Sequence, residues 1–120
     1  MDMSIRGRFV MQNGVDPVYA SRSNPLQRTA VNVAKGKQLY DKNCALCHGP
    51  EGLGNGETGK GLNPPPANIA VNINRHMATD GYIYWTVAEG GVPVGSAMPP
   101  FKGVLKEEEI WETILYLRTL

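Results

Sequence analysis

Long apolar runs, one-sided charge and alternating patterns are all missing from this chain, and each absence removes a class of protein. Nowhere in its 120 residues is there the run of about 18 apolar residues that a membrane-spanning helix needs. Twelve Lys and Arg stand against eleven Asp and Glu, a formal net charge of +1. No basic stretch is interleaved with aromatics, so nucleic acid is not an expected partner. No segment alternates apolar and polar residues as a half-buried strand does, which makes an all-α class the expectation. Aromatics amount to 8%, and a chain of this length buries a modest share of its surface. Its core is therefore thin unless a bound apolar group completes it. The opening "MDMSIRGRFVMQNG" lacks the apolar centre of a signal peptide, so any export signal is expected to be absent from this sequence.

Cysteine is as scarce as the rest, and here scarcity becomes a signal. Both cysteines and one of two histidines fall in "CALCH", residues 44–48. A thioredoxin-like dithiol needs a βαβ context, and no parallel strands are legible. A zinc site takes four ligands, yet the only other histidine is His76. A disulfide between Cys44 and Cys47 would close too short a loop to stabilise much. The remaining reading is the C-x-x-C-H signature of covalent haem attachment. Residues three apart share one face of a helical turn. Two thioethers from Cys44 and Cys47 can therefore reach one side of a porphyrin, with His48 next to it as an iron ligand.

Residues 1–31, rich in Asn, Ser, Pro, Gly and Arg, are expected to form an extended arm without regular structure; residues 32–120 form one domain. A helix is expected from Asn32 as N-cap through "VAKGKQLYDKN", with Gly36 marking a close helix crossing. Residues 48–70 form a Gly- and Pro-punctuated loop. Its "GNGETGK" imitates a phosphate-binding loop, but Gly61 stands where Ser or Thr belongs and no strand precedes it. A helix capped by Thr79 follows, with Ile83, Val87 and Trp85 facing inward. The last helix carries a stripe of Ile110, Ile114 and Leu117 beside Trp111 and Leu115, with Glu107, Glu108 and Glu109 at its positive N-terminal end.

Iron in a haem has a second axial position. Met98 sits in "GSAMPPF", where Pro99 and Pro100 restrict the backbone, and methionine with histidine is an established haem ligand pair. Met98 is the favoured donor; His76 and Met77 are the alternatives.

From about residue 33 to 120 the chain resembles a class I monohaem cytochrome c of the bacterial type. "GKQLYDKNCALCHG", "LNPPPANI", "AMPPF" and "EEIWETILYLRTL" carry the likeness. The arm is long for that family, and Lys106 replaces its usual Ser or Thr cap. The resemblance implies a cytochrome c fold around one haem c, with Gly36 and Tyr40 crossing near Tyr116. It also implies a proline carbonyl that accepts from the axial histidine, with Pro65 favoured among Pro64, Pro65 and Pro66. Ile69, Ile73, Trp85 and Phe101 are candidates for the pocket wall. The expected function is electron transfer between redox proteins, such as a quinol-oxidising complex and a terminal oxidase or periplasmic reductase. A monomeric carrier outside the cytoplasm is implied rather than an enzyme. The rival is a haem enzyme or gas sensor with an open or displaceable sixth ligand.

Overall fold

The computed structural model describes residues 5–120; residues 1–4, with Met1 and Met3, lie outside them. Seven α-helices and two 3-10 turns make up the regular structure, with no strand among the described residues. The all-α expectation therefore stands.

The frame is a crossing of two helices, α3 (Ala30–Asn43) and α7 (Glu107–Leu117). Gly36 is what lets them meet. A Cβ there would collide with the Glu112 carbonyl and lie 2.9 Å from the Tyr116 Cβ. One turn on, Tyr40 is fully buried. Its ring sits 5.3 Å from that of Tyr116, and its hydroxyl donates to the Gly49 carbonyl at 2.5 Å. Ile110, Trp111, Ile114, Leu115 and Leu117 are all buried, as the stripe predicted.

The helix ends differ from the sequence expectation at two caps. α3 begins earlier than expected, because Thr29 is its cap and its hydroxyl accepts from the Asn32 N–H at 3.1 Å. Asn32 instead uses its side chain to donate to the Gln27 carbonyl. α7 has no Ser or Thr cap; the Glu109 carboxylate accepts from the Lys106 N–H at 2.8 Å, which is half of a capping box. α6 (Asp80–Glu89) is capped by Thr79 as expected and stops at Gly90, whose φ is +70°.

The arm is not extended. It forms α1 (Ile5–Asn13) and a short α2 (Pro17–Ala20). Neither carries a clear apolar stripe, so periodicity could not reveal them; packing on α6 stabilises them instead. Phe9 lies 6.1 Å from Trp85, and the Arg6 guanidinium sits 4.7 Å from the same ring. Tyr19 is buried and stacks on Tyr84. Of the arm's apolar islands, Phe9 and Val10 pack against the core while Met11 and Val18 stay exposed. Two further short helices, α4 (Ala45–His48) and α5 (Ile69–Asn72), lie along the loop side of the molecule.

Candidate functional site

Cys44 ends α3 and begins α4, so the two sulfurs and His48 lie on a single turn fastened directly to the main helix crossing. The Cys47 and His48 N–H groups both return to the Cys44 carbonyl, at 3.2 and 3.0 Å. Both thiols are free and half-buried. Burial, with the neighbouring Cys47 second, pushes the Cys44 thiol up to about 12.

The following loop is tied back onto this turn. Gly54 N–H donates to the His48 carbonyl at 2.8 Å and Gly56 N–H to the Cys47 carbonyl at 3.0 Å. Gly59 must stay a glycine, since a Cβ would lie 2.7 Å from the Cys47 carbonyl and 2.5 Å from Pro66 Cγ. These close approaches hold the loop against the turn.

His48 Nδ1 lies 2.9 Å from the Ala67 carbonyl oxygen. A carbonyl can only accept, so Nδ1 carries the proton and Nε2 keeps its lone pair. Burial lowers the imidazole's basicity while the Ala67 bond opposes it. A neutral, oriented imidazole with one free nitrogen next to two thiols fits covalent haem. Pro65 is corrected here: the accepting carbonyl belongs to Ala67. The Pro66 and Ala67 carbonyl oxygens both lie close to Gly54, 2.7 and 3.2 Å from where a Cβ would stand, and it is the Ala67 oxygen that meets the ring. Nothing in an alanine's sequence context marks that role.

Met98 is half-buried and packs against the core. Its carbonyl accepts from Gly91 N–H at 2.8 Å, and Gly91's carbonyl accepts from Ser96 N–H at 2.8 Å, so the loop closes on itself. Met77 is half-buried in the turn before α6, and His76 is exposed. Among the proposed wall residues, Ile73, Trp85 and Phe101 are buried and Ile69 is partly buried against the core. One side of Trp85 is covered by the arm. Lys60, the decoy lysine, is exposed and paired with Glu57 at 3.0 Å. No three His, Cys, Asp or Glu side chains converge as a metal cluster among the described residues.

Residues 31–117 match the family described as cytochrome c oxidase, cbb3-type, subunit III. A thiosulfate dehydrogenase from Stutzerimonas stutzeri is 26% identical over 100 residues, 79% of this chain and 29% of that protein. The cbb3-type cytochrome c oxidase subunit FixP of Bradyrhizobium diazoefficiens is 28% identical over 93 residues, 78% of this chain and 29% of that protein. The chain thus spans under a third of either relative. In the solved reducing HAO-like protein complex of Kuenenia stuttgartiensis, one chain superposes with a TM-score of 0.66 at 24% identity. That match covers 79% of this chain and 46% of the other, a likeness of fold. The family match begins at residue 31, leaving α1 and α2 outside it.

Proposed function

Because this chain belongs to the cytochrome c oxidase cbb3-type subunit III family of c-type cytochromes, we propose that it carries single electrons through one covalently bound haem c held by Cys44, Cys47, His48 and Met98. The observation that carries this reading is His48, whose Nδ1–H is committed to Ala67 and whose Nε2 is left to face an iron. A hydrogen bond of this kind fixes ring orientation and raises ligand basicity. The haem, when bound, supplies a one-electron iron couple, and a thioether ligand shifts it towards the reduced state. The chain's part is to anchor two sulfurs, aim one imidazole and keep water from the ring. His48 and Met98 would together hold the iron and leave no site for a substrate, so the chain would act as a carrier and not as a catalyst.

Its partners are redox proteins outside the cytoplasm, where haem becomes covalently attached. The relative named as a cbb3-type oxidase subunit supports a place in or beside a respiratory complex, between a quinol-oxidising donor and a terminal acceptor. No helix among the described residues is long and apolar enough to cross a membrane. Leu46 and Val92 are 63% and 74% exposed, and Lys102 is already paired with Glu89 at 2.9 Å. An uncharged rim suits a small, transient electron-transfer encounter.

Acid-acetone extraction tests the attachment. The red colour stays with the polypeptide, and single Cys44→Ala or Cys47→Ala variants each retain one thioether. Colour that extracts freely from the intact protein would contradict the proposal.

A further inference from the structure

The segment that lies outside the family match is fastened directly to the start of the loop that carries Met98 and, through Glu89, to its end. At the loop's start, Arg6 Nη2 donates to the Gly90 carbonyl. Gly90 is pressed against the ligand segment, since a Cβ there would lie 2.6 Å from the Met98 carbonyl and 2.7 Å from Pro100 N. At the loop's end, Lys102 pairs with Glu89 at 2.9 Å, and the same carboxylate accepts from the Tyr19 hydroxyl at 2.5 Å. Ile5 adds an apolar contact beside Gly95, 3.8 Å from where its Cβ would stand.

Arg6 is an unusual choice for this place. It is 7% exposed, lies over Trp85, and its Nη1 is the buried side-chain polar atom without a partner among the described residues. A buried guanidinium that lost its acceptor would carry a large desolvation penalty. If the loop swung outward, Gly90 would leave Arg6 in that state. Opening the loop is therefore coupled to stranding a buried charge.

We propose that Arg6 and Tyr19 are positioning residues by which the N-terminal segment holds the Met98 loop closed and so sets how rarely the sixth ligand leaves the iron. This rests on Met98 being that ligand. A thioether is a neutral, weak donor, and the fraction of time it is displaced follows the free energy of opening its loop. Removing the arm's grip raises that fraction without touching either ligand.

The test uses the full-length holoprotein and measures carbon monoxide association with the ferrous form by stopped flow. Arg6→Met keeps volume and removes the donor; Tyr19→Phe removes one hydroxyl and is the milder variant. Asn24→Ala is the control. The Asn24 side-chain amide ties the arm to the Trp111 carbonyl at 3.0 Å, away from the loop, and the variant keeps the backbone N–H bond to Asp80. Arg6→Met is expected to speed association about tenfold and Tyr19→Phe about threefold. Asn24→Ala lowers Tm and leaves the rate unchanged, while Met98→Ala binds fastest of all. A fast Met98→Ala with wild-type rates in both Arg6→Met and Tyr19→Phe overturns the clamp and spares the ligand. An equal acceleration in Asn24→Ala overturns it too, by showing only general loosening. A Met98→Ala protein that stays as slow as wild type overturns the ligand reading itself.

Discussion

The His48 side and the Met98 side of this molecule are built by opposite means. The His48 turn follows α3 directly, joined to it by the shared cap residue Cys44, and α3 is locked to α7 by backbone packing at Gly36. Its main-chain bonds are local, from Cys47, His48, Gly54 and Gly56 to carbonyls at most nine residues away, and the His48 ring reaches 19 residues on to Ala67. The Met98 loop leaves the end of α6 and returns to it, where the Phe101 and Lys102 N–H groups donate to the Val87 and Ala88 carbonyls. It depends on glycines packed against its own backbone and on Arg6 and Tyr19, which lie 84 and 70 residues from their partners. If both are ligands as proposed, His48 is placed from the helix crossing, and Met98 by its own loop together with the arm's long-range grip. Damage to the first side should cost stability, and damage to the second should cost ligation before stability.

The largest effect is expected at Gly36. Gly36→Val forces the two helices apart, at a cost of about 3 kcal/mol for overpacking, or roughly 10 °C in Tm. At low temperature the ferric protein keeps its weak near-infrared sulfur-to-iron band. Loss of the band without a thermal shift would invert the comparison.

Next is Gly90→Ala. With φ at +70° and ψ at −161°, the backbone is in a region nearly reserved for glycine, and the strain is about 2 kcal/mol. Relief comes most easily by shifting the loop, so the near-infrared band weakens while the fall in Tm stays below that of Gly36→Val. An intact band would show that the loop tolerates a Cβ and that Met98 is held more firmly than its contacts suggest.

The smallest effect probes the arm's second fastening. Burial of Asp80 favours its protonated form, but the Asn24 N–H and Arg118 outweigh that and hold its carboxyl below the ordinary range. Arg118 lies 2.7 Å away. A depressed folded value gives stability that is complete above the unfolded value of about 4 and is lost as pH falls through the folded one. The pair is partly exposed, so its contribution is below about 1 kcal/mol. Asp80→Asn should be slightly less stable than wild type at neutral pH and equal to it in strong acid, as urea titrations at each pH would measure. A gap that widens towards acid would contradict the assignment.

The same contrast governs what could be read in the sequence. Cys44, Cys47, His48, the Gly36 crossing and the α7 stripe are short-range patterns with direct geometric meaning, and they stand in the fold where the patterns put them. The Ala67 carbonyl is a main-chain group that any residue could supply, so only the loop's register decides it. The arm's helices rest on Arg6, Phe9 and Tyr19 meeting α6, and sequence spacing carries no trace of pairings so far apart. Asn32 was a reasonable cap by type, yet Thr29 was equally suitable and stood nearer to where tertiary packing begins the helix.

The central claim is that His48 and Met98 close both faces of one covalent haem, and near-infrared absorption of the ferric protein tests it most directly. The sulfur-to-iron band should be present in the wild type, in Met77→Ala and in His76→Ala, and absent from Met98→Ala. A wild type without the band, or a band lost from Met77→Ala and kept in Met98→Ala, would contradict the account.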